Sequence, residues 1–498
     1  MTRILIRATL GFLLSAFLCS QALGTTYTAS SCSASAVQGA INQATHDGDI
    51  VAIPAGNCTW TTTVSVTFSN SVTIQGAGAQ TPSGGSDLTI IQDNINRSSQ
   101  DNPLLQVTTT SGKTFRLTGV AFYYSTSNSS VTYNGSIRIG GSSQAVRVDN
   151  CHFNNLNEIA MDIDGWIYGV VDHNLFDMPV NSVYNGVRAD ELSWNGYGYG
   201  DGSWADNSSF GSSQFIFFET NTFNNGFAQD CNGGGRFVFR YNVLNSAAIQ
   251  GHEMEDRMQG CRAFEVYENT FTTNSPGGPD TGTAAYFRTG TGLFWGNAVN
   301  QYPNFITFHN DRSDTGHYFG NANSSCTSSC WGYCGTQVTG TGSGFDQNSN
   351  QTTGYACTQQ IGRGKGNLLP QQYWPFSSNQ FIWYQNALEP VYIWDTTFNP
   401  PSNYQPSLVS VFSPSPIVES RDYYVDDGTH GVTSGLLSAR PTTCTPLVAY
   451  WATDTTTLYQ CSTVNTWTAY YAPYTYPHPL TQGGDPPGPP SNLQAIPQ

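Results

Sequence analysis

One six-residue phrase recurs along the chain. It runs apolar residue, two variable residues, Asn or a substitute (Cys, Val or Thr), one variable residue, apolar residue. Clear copies span Leu117 to Phe122, Val148 to Phe153, Val171 to Phe176, Phe218 to Phe223, Phe239 to Leu244 and Val266 to Phe271; weaker ones span Phe294 to Val299 and Ile393 to Phe398. The fourth positions, Val120, Cys151, Asn174, Asn221, Asn242, Asn269 and Asn297, lie 21 to 31 residues from one another, except for one gap of 47 that is expected to hold two turns. A period in this range makes each unit one coil of a solenoid. The units are rich in Val, Phe, Tyr and Thr, so the coils are built of strands. Asn at one repeated corner is expected to form a buried ladder of amides, each bonding to the backbone of the next coil. Such a stack offers a long flat face, a shape suited to a linear polymer.

Residues 1–24 have the layout of a secretory leader: Arg3 and Arg7, an apolar run from Leu10 to Leu18, and small residues up to Gly24. The apolar run is too short to cross a bilayer, and no other segment is long enough, so no integral membrane segment is expected. The expected location is secreted, extracellular. Without the two leader arginines, 16 basic residues face 34 acidic ones, a balance of −18. This charge argues against nucleic acid as a partner. It would also repel an anionic polysaccharide unless calcium or a local basic patch intervenes.

An oxidising compartment predicts paired cysteines. The expected bridges are Cys32 with Cys58 and Cys444 with Cys461. Cys326, Cys330, Cys334 and Cys357 form a tight group, read as two disulfides, with a zinc site as the alternative. Cys231 and Cys261 lie about one coil apart, within bridging reach. Cys151 holds a ladder position and reads as a buried free thiol.

Apolar spacing from Ser35 to Ala44 predicts a short helix. It is followed by Gly48-Asp-Ile-Val-Ala-Ile-Pro-Ala-Gly56 and Val72-Thr-Ile-Gln-Gly-Ala-Gly78. This opening resembles the right-handed parallel β-helix, or pectin-lyase-like, superfamily in its secreted bacterial form. The resemblance implies an all-β fold, a single-stranded right-handed parallel β-helix whose N-terminal helix plugs the open end of the stack. The expected organisation is a leader (1–24), a β-helix (25–425) with a loop-rich, Cys-containing insertion (311–390), a small C-terminal β region pinned by a disulfide and read as a hairpin (426–480), and a Pro/Gly-rich tail (481–498). A monomer is expected.

Two stretches are candidates for chemistry. Asp162-Ile-Asp164 through Val171-Asp-His-Asn174 is similar to the Val-Trp-Ile-Asp-His strand of pectate lyases. It nominates Asp162, Asp164 and Asp172 as metal ligands, with calcium as the ion; the bland alternative makes Asp172 and His173 ordinary exposed strand positions. The second stretch, Gly251 to Arg262, packs His252, Glu253, Glu255, Asp256, Arg257 and Arg262 into a chain with only 10% charged residues. It resembles the Arg-x-Pro-x-x-Arg segment of pectate lyases, without the Pro and with different spacing. In lyase chemistry a base removes the proton α to a uronate carboxyl while positive charge steadies the carboxylate. Arg257 is the expected base and Arg262 the carboxylate clamp, with His252, Glu253 and Asp230 in the catalytic set. The alternative is a knot of ion pairs bracing adjacent coils. Trp194, Tyr197 and Trp204, with Arg236 and Arg288, are the expected substrate contacts, the aromatics stacking on sugar rings. The activity implied is β-elimination on an extracellular polysaccharide. A non-catalytic glycan-binding or adhesin-like protein and a polygalacturonase-like hydrolase, suggested by the one-coil spacing of Asp230 and His252, are the alternatives.

Overall fold

The computed structural model describes residues 24–97, 102–124, 135–156, 159–180, 185–190, 207–252, 260–274, 282–309, 361–365, 372–376, 379–383, 386–412, 417–426 and 431–482. Each coil contributes one strand to each of three parallel sheets: face I with 12 strands, and faces II and III with 10 each. One coil illustrates the path. Phe227–Asn232 lies on face III, Arg236–Arg240 on face I and Val243–Asn245 on face II, and Ala248–Gly251 starts the next coil on face III. Alternation sets the core: Phe122, Phe153, Phe176 and Phe223 point inward and stack with ring separations of 5.5, 4.6 and 4.6 Å. The fold is an all-β parallel β-helix.

The expected Asn ladder is present. The amides of Asn174, Asn221, Asn242, Asn269 and Asn297 are linked in sequence, each Nδ2 donating to the next Oδ1 at 3.0 to 3.1 Å. Each Nδ2 also donates to a carbonyl of the preceding coil, as from Asn242 to the Phe218 oxygen at 2.9 Å. Cys151 ends the row as a buried free thiol, its N–H donating to Asn174 Oδ1. The residue just before each ladder position turns left-handed: Gly119, Asn150, His173, Thr220, Tyr241, Glu268, Gly296 and Asp395 all have φ between 50° and 68°. One sharp corner recurs and places the ladder amide inside.

The gap of 47 is not two turns. Asn174 bonds Asn221 directly, and Gly169–Asp172 pairs with Ile216–Glu219. The extra residues form a connection from face III to face I. The same corner carries the connection from Gly251 to Ala263 and the long one from Phe308 to Val391. In that last connection, described residues within the expected loop-rich insertion form antiparallel pairs, Arg363–Lys365 with Asn386–Leu388 and Gln372–Phe376 with Asn379–Trp383.

Helix Ala34–Ile41 closes the N-terminal end, with Val37, Ala40 and Ile41 buried and the Ser33 hydroxyl capping its first turn. Cys32–Cys58, Cys231–Cys261 and Cys444–Cys461 are bridged. The group at 326–357 lies outside the described residues. The C-terminal region is a four-stranded sheet between Val432 and Tyr471 rather than one hairpin. It packs on face I, where Trp451 meets Trp295 and Trp394, each at 5.3 Å. No helix among the described residues is long and apolar enough to cross a membrane.

Candidate functional site

Register places two columns of polar side chains on the outer surface of face III. In these strands most inward residues are apolar, Gln229 being an exception, and every second residue faces out. The first column runs Arg138, Asp162, Arg188, Asp230, with Gln250 and Tyr286 continuing it. The second includes Asp164, Asn232, His252, Arg288 and His309, in adjacent coils from Asn232 onward. The backbone bonds of His252 to Cys231, Arg288 to Gly251 and His309 to Phe287 fix the register of the last three. The second column runs beside the corner where the face III to face I connections leave, the part of such a fold where loops vary without disturbing the core.

The side chains pair along and across these columns. Arg138 Nη2 bonds Asp164 Oδ2 at 2.6 Å. Arg188 Nε lies 3.4 Å from Asp162 Oδ1. His252 Nδ1 meets both oxygens of Asp230, at 2.9 and 2.8 Å. Tyr286 and His309 Nδ1 are joined by a short hydrogen bond, and the Arg288 guanidinium sits 5.2 Å from the centre of the Tyr286 ring. Burial alone would raise the Asp230 carboxyl, but His252, Arg288 and Arg188 together outweigh it and hold the group below the ordinary carboxylate value. Asp230 is thus a carboxylate, acceptor only, so His252 Nδ1 donates to it. In the neutral imidazole this leaves the lone pair on Nε2, the arrangement of a positioned general base. The His252 side chain remains 22% exposed. The stem of the segment that follows is tied down on both sides. Cys261 N–H donates to the His252 carbonyl, Gly234 N–H to that of Gly260, and the Cys231–Cys261 disulfide lies beneath.

The structure separates residues that the sequence grouped together. Arg262 is 1% exposed and bonds Glu389 at 2.8 Å. Its guanidinium is committed to a buried ion pair, which does not suit a clamp on a polymer. Arg236 is fully buried on face I, out of direct reach of a polymer. Arg240, also on face I, binds Glu219 and the carbonyls of Tyr474 and Thr475. Arg262 and Arg240 are thus each held in an ion pair, with Glu389 and Glu219. Of the two arginines expected to contact substrate, Arg288 is the one that shares a face III column with His252. Arg257, Glu253, Trp194, Tyr197 and Trp204 lie outside the described residues.

The carboxylates nominated for a metal do not converge. Asp162 and Asp164 lie on face III facing Arg188 and Arg138. Asp172 lies on face I, buried, with both oxygens bonded to Arg147 at 2.9 and 2.8 Å. The carbonyl of Leu480 covers the same arginine. His173 is the left-handed corner residue, its Nδ1 2.8 Å from Asp172; neither residue is an ordinary exposed strand position. Each of these three carboxylates already has an arginine, so as a set they do not fit calcium, an ion that takes six or more oxygens from one shell. Among the described residues no three His, Cys, Asp or Glu side chains form a metal cluster.

Arg188, Tyr286 and His309 were not singled out in the sequence. Period-two alternation in Thr283-Ala-Ala-Tyr-Phe-Arg288 does put Tyr286 and Arg288 on one face. The pairing with His309 depends on register and could not be read locally.

No family model and no curated protein matches the chain. Among solved structures it is similar to ORF18 of Geobacillus virus E2, with 12% identity and a TM-score of 0.32. The likeness covers 55% of this chain and 53% of that one, so the chain spans about half of that protein's length. A likeness this slight bears on neither fold nor activity.

Proposed function

We propose that the protein is a secreted member of the pectin-lyase-like superfamily that depolymerises a uronate-containing polysaccharide by β-elimination on face III. The observation that carries this reading is the Asp230–His252 pair beside Arg288 and Arg188. It combines a fixed base with positive charge, the two things the reaction requires. His252 Nε2 removes the proton α to the uronate carboxyl. Arg288 and Arg188 steady the charge that spreads onto that carboxyl as the carbanion forms. This places the base on His252 instead of Arg257, and the clamp on Arg288 and Arg188 instead of Arg262. The three disulfides suit an oxidising, extracellular compartment.

Hydrolysis fits less well. Asp162 and Asp230 stand two strands apart, about 9.6 Å by ordinary strand spacing, which approaches the separation used by inverting glycosidases. That chemistry needs one carboxyl kept protonated, whereas Asp230 is held as a carboxylate and Asp162 faces the Arg188 guanidinium.

The test is a panel of uronate polysaccharides incubated with calcium or with chelator and followed by the ultraviolet absorbance of the unsaturated uronate. Expected is a rise on at least one polymer that chelator leaves unchanged. New reducing ends without absorbance would favour hydrolysis; binding without either product would favour the glycan-binding alternative.

A further inference from the structure

Face III holds a second proton-transfer pair that the base chemistry leaves unused. Tyr286 and His309 are hydrogen-bonded through the phenol oxygen and Nδ1. They lie on the two strands that follow His252, with Arg288 between the two pairs in the second column. Tyr286 is half-buried on the outer surface, while His309 is 6% exposed and packed behind it against Phe412 at 4.2 Å. The geometry is therefore asymmetric. The phenol is the member placed to meet a ligand, and the imidazole supports it.

We propose that Tyr286 is the general acid of the elimination, with His309 as its positioning residue; this rests on the lyase reading of the same strip. The reaction balances as follows. His252 Nε2 takes the proton from the carbon α to the carboxyl. That C–H electron pair becomes the new carbon–carbon double bond. The bond from the β carbon to the glycosidic oxygen breaks, with its electrons on oxygen. Tyr286 gives that oxygen its proton, and the departing chain leaves as an alcohol. The resulting phenolate is steadied by the Arg288 charge at its ring and by a hydrogen bond from His309, and it recovers a proton from solvent. Base and acid are then separate groups along one polymer track. Diagonal neighbours on adjacent strands stand about 7–8 Å apart, room for a sugar ring between the His252 and Tyr286 positions.

The test uses Tyr286→Phe, which keeps the ring over Arg288 and removes only the hydroxyl. On the natural polymer kcat should fall on the order of 10²- to 10⁴-fold, the usual contribution of a positioned acid, with KM little changed. On a uronide whose 4-substituent is a nitrophenoxide, which departs without a proton, the variant should approach the wild-type rate. His309→Gln should alter the basic limb of the pH–rate profile on the polymer and leave the nitrophenoxide substrate unaffected. Equal losses on both substrates, or a wild-type rate for Tyr286→Phe on the polymer, would overturn the acid role while leaving the lyase reading in place. A wild-type protein that makes no unsaturated product from any uronide would overturn both.

Discussion

Asn242 shows how much of this fold rests on single side chains. Its Nδ2 reaches the Phe218 and Arg240 carbonyls and Asn269 Oδ1 at 2.9, 3.0 and 3.1 Å, and its Oδ1 accepts from both nitrogens of Asn221. Removing it strands several buried partners at once, and stranded groups lose more free energy than a net hydrogen bond supplies. Asn242→Ala should therefore destabilise by about 3 kcal/mol, whereas Asn245→Ala on the exposed outer row, where the amide bonds only Asn224, should stay within about 0.5 kcal/mol. Denaturant unfolding of the two variants measures the contrast. The ladder was legible in the sequence because its period is local and its chemistry specific. The left-handed corner before it was not, since that position holds Gly, Asn, His, Thr, Tyr, Glu and Asp in different coils. The turn is imposed by the stack, not by residue preference; Thr220, β-branched and at φ 56°, pays no heed to what isolated residues favour.

At the scale of elements, the segment between Gly76 and Thr89 is held to face II by an imidazole between two carboxylates. His152 Nδ1 lies 2.8 Å from Asp87 and Nε2 3.0 Å from Asp177. Tyr123 donates to Asp87 at 2.7 Å and stands edge-on to the His152 ring; Asn224 bonds Asp177, and Asn154 lies 3.3 Å from Nε2. A neutral imidazole has one N–H, so only the imidazolium donates to both carboxylates. Burial alone would lower the His152 value, but the bonds to Asp177 and Asp87 outweigh it and raise it above 6.5. A group raised on folding stabilises fully below its unfolded value and loses that contribution as pH rises through its folded one. Protection of the 77–88 amides, relative to the intrinsic base-catalysed exchange rate, should therefore fall as pH climbs above 6.5, and His152→Gln should remove that fall; exchange mass spectrometry over a pH series, corrected for intrinsic rates, reads both. The two carboxylates are 65 and 25 residues from His152, which is why no local motif announced the cluster. The same holds for the C-terminal segment on face I, where His478 N–H meets Glu219 across 259 residues.

Across the whole molecule, the solenoid and its end cap could be read from repeat and alternation, and the site only in part. Asp230 and His252 were nominated from one-coil spacing, and stacking brings them into contact. The arginines proposed to meet substrate divide between faces, because each coil turns through three faces and position in the coil decides which one a residue joins. Arg236 and Arg240 belong to face I and Arg288 to face III. The long connections also leave at one corner, away from the ladder.

The central claim, that face III performs base-catalysed elimination through His252, is tested most directly by single-turnover kinetics of wild type and His252→Gln on a uronate polymer, with polymer binding measured alongside. The account predicts unsaturated product from the wild type and a loss on the order of 10²- to 10⁴-fold in the variant at unchanged affinity. Product formed at the wild-type rate by His252→Gln would contradict it.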